Sequence, residues 1–162
     1  MKKCLLRLAL CALLLGGFSA CSKKEKTATA APAHHAHTAP HGGTLIEIGD
    51  HQYTLELLRE ASAGTLTAYL LDAHAEHFIR SSVPSFTLTA TVAGEIKTLA
   101  LVATPNPATG ETVGDTSQFM TQADWLKTTA NFDAVIAEVT VRGTKFEKIA
   151  FNFPRGNDDD AK

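Results

Sequence analysis

Short segments in which apolar and polar residues alternate constrain the fold of this chain more than any other feature. In Phe86–Val92 the apolar residues stand at every second position, with threonines between them. Val135–Val141 repeats the pattern, with Val135 and Ala137 among the residues expected to face the core, and Lys145–Phe153 keeps the same period. Because successive side chains of a β-strand point to opposite faces, this period of two predicts half-buried strands.

Turn residues separate such segments along the chain, which leaves room for seven predicted strands and no long helix. The predicted strands are residues 44–48, 51–58, 66–71, 86–92, 96–104, 135–141 and 145–153. Asn106–Ser117 is predicted to be a long loop, and Asp124–Lys127 a single helical turn capped by Asp124. For residues 41–154 we therefore predict an all-β fold: a single antiparallel β-sandwich of the immunoglobulin-like type, with seven or eight strands. A small β-barrel is the alternative.

The N-terminus has the three-part layout of a secretory signal peptide, predicted to span residues 1–20. A basic start is followed by a short apolar run and then by small residues. Phe18–Cys21 resembles a bacterial lipobox, although leucine is more usual at the first position. The resemblance implies a covalent lipid on Cys21, and Ser22 after it resembles an outer-membrane address of Gram-negative lipoproteins, on the side facing the periplasm. Because the other two cysteines lie in the segment to be removed, neither a disulfide nor a thiolate metal site is expected within one mature chain.

Residues 21–40 are Ala, Thr, Lys, His and Pro without apolar periodicity, which predicts a flexible tether. Residues 155–162 are predicted to form an acidic, disordered tail. The net charge of −2 and the absence of a basic face argue against nucleic acid as a partner, which leaves the membrane, through the lipid anchor. No nucleophile elbow, phosphate-binding loop or zinc-protease helix is present, so enzymatic activity is not expected.

The histidines are concentrated in the first half of the chain, and none follows His77. The tether carries His34, His35 and His37, and His41 follows immediately after it. Imidazole is a common ligand of zinc and copper, but a tether must be ordered when it binds, so weak metal contacts are expected here. The alternative is a solvated linker whose histidines reflect composition only.

A second group of predicted metal ligands comprises His51, Asp72, His74 and His77. If Ile48 faces His51 across a two-residue Gly49–Asp50 turn, the following hairpin brings Asp72 to the same end of the sheet. Three imidazoles and a carboxylate suit zinc or Cu(II). In the alternative interpretation, His51 caps the core edge and the other two histidines face water. An extended first strand would place the tether end about 23 Å from this rim.

Several short motifs resemble a known family. They are His41-Gly-Gly-Thr-Leu, Gly49-Asp50-His51, Tyr69-Leu-Leu-Asp72 and Gly114-Asp-Thr-Ser-Gln-Phe119. Together they look like the small β domain near the N-terminus of periplasmic adaptor subunits of heavy-metal (RND-type) efflux pumps, which also occurs as freestanding envelope lipoproteins. The resemblance covers nearly all of residues 40–154 and implies the handling of metal ions. With 162 residues, the chain has no room for the adaptors' helical hairpin, so we expect an accessory of a metal-efflux system component.

The sequence thus predicts a membrane-anchored envelope lipoprotein that binds zinc or copper ions and serves metal efflux or homeostasis. The alternative is a metal-independent protein-interaction module in the cell envelope, which would dock through a sheet edge or through the Asn106–Ser117 loop.

Overall fold

A computed structural model of the chain describes residues 37–157. The predicted signal peptide, Cys21, His34 and His35 lie outside the described residues, as do residues 158–162. The strands are β1 (Thr44–Ile48), β2 (Tyr53–Glu60), β3 (Thr65–Asp72), β4 (Ser85–Val92), β5 (Glu95–Ala103), β6 (Gln118–Gln122), β7 (Phe132–Val141) and β8 (Thr144–Phe153). One short helix, α1, spans Trp125–Thr128, and a 3-10 turn spans Pro107–Thr109. Within residues 37–157 no helix has the length and apolar character needed to cross a membrane.

All eight strands belong to one antiparallel sheet, in the order β1-β2-β3-β6-β5-β4-β7-β8. The sheet curls until its two edge strands, β1 and β8, approach each other, so it is nearly a closed barrel. The all-β prediction is confirmed, in the form of its barrel alternative. Two of its hairpins turn through pairs of residues with positive φ, Ala93–Gly94 and Arg142–Gly143, as the right-handed twist of paired strands favours.

The inward faces of the strands form a single apolar core. Every strand contributes to it, and Leu126 of α1 adds a side chain that is completely buried. Some of the largest side chains with essentially no exposure are Ile46, Leu55, Leu88 and Phe119. Burial of these apolar side chains is the main stabilising contribution expected of a fold of this size.

The inward face changes along β7, which differs from the prediction. Ala134 and Ile136 are buried, whereas Val135 and Ala137 lie on the outer face, and burial resumes at Val139. Opposite this change, Lys148 of β8 has a φ of 55°, which is not a strand conformation. The local departure from the extended backbone shifts the inward positions by one, so a uniform period of two assigned the first half of β7 to the wrong face.

The gap between β1 and β8 is closed by the residues that follow β8. The side-chain amide of Asn157 accepts from the backbone N–H of Glu47 at 2.8 Å and donates to the Glu47 carbonyl at 3.0 Å. The backbone of Gly156 pairs with Asn152 in both directions. Residues 155–157, which we predicted to lie in a disordered tail, therefore complete the domain and cover the free edge of β1.

Gly156 sits where a side chain would overlap the backbone of β1. Its φ is 82°, and a Cβ atom there would collide with the carbonyl oxygen of Leu45. Gly143 has nearly the same φ, 81°, but open space around the Cβ position. We expect Gly143→Ala to lower the free energy of unfolding by about 1–2 kcal/mol through backbone strain alone. Gly156→Ala should cost about 2 kcal/mol more, because steric overlap is added. Urea denaturation of both variants checks this, and equal losses would show that close approach to β1 is not required.

Candidate metal centre

The segment that precedes β1 does not continue the strand but folds back over the outer face of the sheet. The backbone N–H of Gly42 donates to the carbonyl of Ala39, which forms a tight turn, and Gly42 has a φ of 72°. Gly43 lies so close to β2 that a Cβ atom would be 2.6 Å from the carbonyl oxygen of Leu57. The glycine pair thus serves two needs: positive φ at the first position and close backbone approach at the second. We call residues 37–43 the N-terminal strap.

The strap is held by Glu56 of β2, whose side chain is completely buried. One carboxylate oxygen accepts from the backbone N–H groups of His41 (2.8 Å) and Gly43 (2.9 Å). The other lies 2.7 Å from Nδ1 of His41. Burial of a carboxylate is costly unless its oxygens are hydrogen-bonded, and these three contacts provide that compensation. Glu56 therefore fixes both the strap backbone and the His41 ring.

His41 packs on the aromatic side chains beside it. Its ring stacks on Tyr69 of β3, with centroids 4.1 Å apart, and lies 5.8 Å from the ring of Phe78. Burial raises the pKa of Tyr69, and the negative charge of Glu56 raises it further, so the phenol stays protonated. Since Glu56 and Tyr69 are cross-strand partners, His41 lies over the middle of β2 and β3. The sequence suggested that this residue lies at the far end of an extended first strand, and this differs from its position in the structure.

At the rim of the sheet, the turn between β1 and β2 meets the loop that follows β3. Ile48 pairs with Tyr53, so the turn contains four residues rather than the predicted two. His51 lies within this turn with a φ of 54°. Tyr53 pairs in turn with Asp72, the last residue of β3, which places His51 beside the loop that carries His74. The predicted meeting of these two segments is present, with the register of the first hairpin shifted by two residues.

Three imidazoles converge at this rim, one from each of three separate segments. The ring centroid of His37, at the start of the strap, lies 5.2 Å from that of His51 and 5.4 Å from that of His74. The centroids of His51 and His74 are 5.8 Å apart. Each residue offers one ring nitrogen, and the three nitrogens all lie within 4.8 Å of one another. We call His37, His51 and His74 the imidazole cluster.

Asp72 and His77 lie outside this cluster and pair with each other. One oxygen of Asp72 accepts from the backbone N–H groups of Glu76 (2.9 Å) and His77 (3.3 Å), and the other lies 2.9 Å from Nδ1 of His77. Burial alone raises the pKa of Asp72, but the hydrogen bonds to Glu76 and His77 outweigh it and leave the pKa below its ordinary value. The carboxylate thus shapes the loop and holds His77, which we predicted to be a ligand together with His74, outside the imidazole cluster.

The imidazole cluster has the composition of a transition-metal site. Neutral imidazole nitrogens bind zinc at about 2.0–2.1 Å, which places two nitrogens of a tetrahedral site about 3.3 Å apart. The cluster is wider than this by up to about 1.5 Å, which requires small side-chain rotations of the exposed His74 and of His37. Within residues 37–157, Nε2 of His37 is buried without a hydrogen-bond partner. A buried nitrogen without a partner costs free energy, and a metal ion would supply that partner.

A cleft of about 520 Å³ lies on the other side of His41. Its lining includes Tyr69, His77, Phe78 and Arg80, as well as Glu111 from the loop after β5. The Arg80 guanidinium donates to Asp115 and to the Thr109 carbonyl, so this loop is tied to the segment after β3. The cleft combines the half-exposed ring of Phe78 with Arg80 and Glu111, whose charged groups already have hydrogen-bond partners.

Comparison of this chain with protein-family models, with curated proteins and with solved structures finds no match.

Glu56 is the group on which the position of the strap depends, and its substitution tests this. In Glu56→Gln one acceptor oxygen becomes an NH₂ group that faces donors, so we expect a loss of about 2–4 kcal/mol in unfolding free energy. Glu60→Gln, at the exposed end of the same strand, is the matched control and should change stability by less than about 0.5 kcal/mol. Urea denaturation measures both. Similar values for the two variants would contradict the role assigned to Glu56.

Glu111 holds the loop that forms one wall of the cleft. Burial by itself raises its pKa, but hydrogen bonds from Ser117, Thr116 and the backbone N–H of Asn106 outweigh this, so the pKa lies below its ordinary value. The ionised form therefore adds stability that is present above the unfolded-state pKa and is lost as the pH falls through the folded-state pKa.

We accordingly expect the wild-type chain to lose more stability than Glu111→Gln when the pH is lowered from about 5 to about 3. Glu76→Gln, at an exposed carboxyl on the same cleft, should follow the wild type. Unfolding curves at several pH values measure the difference, and parallel profiles for wild type and Glu111→Gln would contradict it.

Proposed function

We propose that this chain binds a transition-metal ion, Zn²⁺ or copper, through His37, His51 and His74. The observation that carries the proposal is the convergence of three imidazoles from the strap, the first hairpin turn and the loop after β3. Residues so far apart in sequence meet only because the sheet pairs Tyr53 with Asp72 and the strap folds back. The buried Nε2 of His37, without a partner in the described part of the chain, adds support.

The chemistry of the donors favours zinc or copper over calcium or magnesium. Ca²⁺ and Mg²⁺ prefer a shell of oxygen ligands, whereas three imidazoles provide nitrogen only. Three imidazole nitrogens that leave a fourth position for another ligand are also a known zinc-binding pattern.

We further propose that the protein acts as a lipid-anchored envelope protein, attached through Cys21 to the outer membrane and serving metal efflux or homeostasis. This part is supported by the N-terminal sequence and by the short motifs that resemble efflux-adaptor domains. The domain is therefore a binding protein rather than an enzyme in this proposal.

A second candidate function is a protein-interaction module that acts without metal. The observation that favours it is the cleft beside His41, where Phe78 is half exposed. In the structure, Asn157 covers the edge of β1, so docking would use this cleft and the neighbouring loop rather than that edge.

Metal titration of the full chain tests the first proposal. Cys4, Cys11 and Cys21 should be replaced by serine throughout, so that no thiolate competes for the ion. We expect saturable binding of one Zn²⁺ per chain. His37→Ala, His51→Ala and His74→Ala should each weaken it by at least about tenfold, because each removes one of three ligands.

Two matched variants provide the controls. His77→Ala removes a histidine from the same loop, and the double variant His34→Ala/His35→Ala removes two from the preceding segment. Both should bind Zn²⁺ within about twofold of wild type. Competition with a chromophoric chelator measures the affinities. Absence of saturable Zn²⁺ binding, or an equal loss of Zn²⁺ affinity in His77→Ala, would contradict the proposal.

A further inference from the structure

We propose that Glu47 supplies a carboxylate ligand to the same ion, so that the site is three imidazoles and one carboxylate with Zn²⁺ as its preferred ion. This inference rests on the proposed metal-binding function. It identifies the fourth protein ligand, and it differs from the sequence-based prediction in taking the carboxylate from β1 rather than from Asp72.

The position of Glu47 is the first observation. Its Oε1 atom lies 3.3 Å from Nδ1 of His51, and about a quarter of the Glu47 side chain is exposed. Two ligand atoms bound to one tetrahedral zinc ion with bonds of 2.0–2.2 Å lie about 3.3–3.5 Å apart. The separation of the carboxylate oxygen and the imidazole nitrogen already matches that value.

The backbone beneath Glu47 is fixed, which is the second observation. The Asn157 amide holds both the N–H and the carbonyl of Glu47, at 2.8 and 3.0 Å. Ile46 and Ile48 on either side are fully buried in the core. The side chain can therefore rotate toward an ion between the imidazoles without movement of the strand, which is how a supported ligand reaches its metal.

The nearby alternative carboxylates are occupied, which is the third observation. Both oxygens of Asp72 contact the loop that follows β3, and both oxygens of Glu56 contact the strap. Within residues 37–157, no hydrogen bond from a backbone N–H fixes the Glu47 carboxylate. Of the three carboxylates that contact a histidine, it is thus the one that can change partners at low cost.

A carboxylate changes the preference of the site among ions. An oxygen donor with a negative charge suits Zn²⁺, whereas Cu⁺ prefers softer ligands and is satisfied by imidazoles alone. Glu47 should therefore contribute strongly to Zn²⁺ affinity and little to Cu⁺ affinity. A residue that merely shaped the turn would affect both ions alike.

The test uses the full cysteine-free chain and the variant Glu47→Gln, which keeps the size of the side chain. The matched control is Asp50→Asn, which removes the same charge from the adjoining turn. We expect Glu47→Gln to weaken Zn²⁺ binding by at least about tenfold and Cu⁺ binding by less than about threefold. Asp50→Asn should bind both ions within about threefold of wild type. Thermal melting without metal confirms that both variants fold.

The outcomes separate this inference from the proposed function. If wild type binds Zn²⁺ and the three histidine variants lose it while Glu47→Gln does not, the Glu47 ligand is refuted and the imidazole site stands. Equal losses in Glu47→Gln and Asp50→Asn, or equal losses of Zn²⁺ and Cu⁺, also refute it, since they indicate a general charge or folding effect. If wild type binds no Zn²⁺, both proposals fail together.

Discussion

The hydrogen bonds between the buried Glu56 carboxylate and the strap are the interaction on which the position of the strap depends. A charged group that is completely removed from water destabilises a small domain by several kcal/mol unless hydrogen bonds replace its solvation. Here the replacement comes from the strap, through His41 and Gly43. The sheet and the strap are therefore coupled, since release of the strap would leave Glu56 buried and unpaired. His37 belongs to the same strap as His41. The contacts of Glu56 therefore also help to position His37 at the rim.

The candidate metal site combines residues on segments that the sheet fixes with side chains that can move. His51 and His74 stand on a turn and a loop whose ends are fixed by the pairing of Tyr53 with Asp72. His37 precedes the Ala39–Gly42 turn and is positioned through it. An ion held by all three would tie the strap to the rim, so metal binding and strap ordering are expected to be coupled. The three nitrogens lie somewhat farther apart than they would around a bound ion. This spacing is compatible with metal binding, because closing the site requires movement of side chains rather than of the sheet.

Sequence patterns predicted most strands and the meeting of His51 with His74, because hairpin turns and a period of two are local signals. They missed β6, whose five residues show little alternation, and the change of face in β7, which arises from one non-extended residue, Lys148. Asp124 does precede α1, as predicted, yet its carboxylate pairs with Lys127 instead of capping the helix. The strap was also missed, because its position depends on long-range contacts with β2. Its available signals were an acidic residue inside an apolar strand and the glycine pair after His41.

Three histidines of this face each lie beside a carboxylate, and the three pairs differ in a way that sequence spacing does not reveal. His41 with Glu56 and His77 with Asp72 form two pairs in which backbone N–H groups also fix the carboxylate. The carboxylates of those pairs therefore serve the backbone, and their histidines are held as part of the structure. His51 with Glu47 forms the third pair, and no backbone amide within the described residues fixes that carboxylate. A carboxylate that no backbone group holds, next to imidazoles that already converge, can bind an ion without breaking structural hydrogen bonds. The backbone contacts of the carboxylates thus distinguish His41 and His77, which are held as part of the structure, from His51 of the proposed metal site. Residue type and sequence spacing do not contain this distinction.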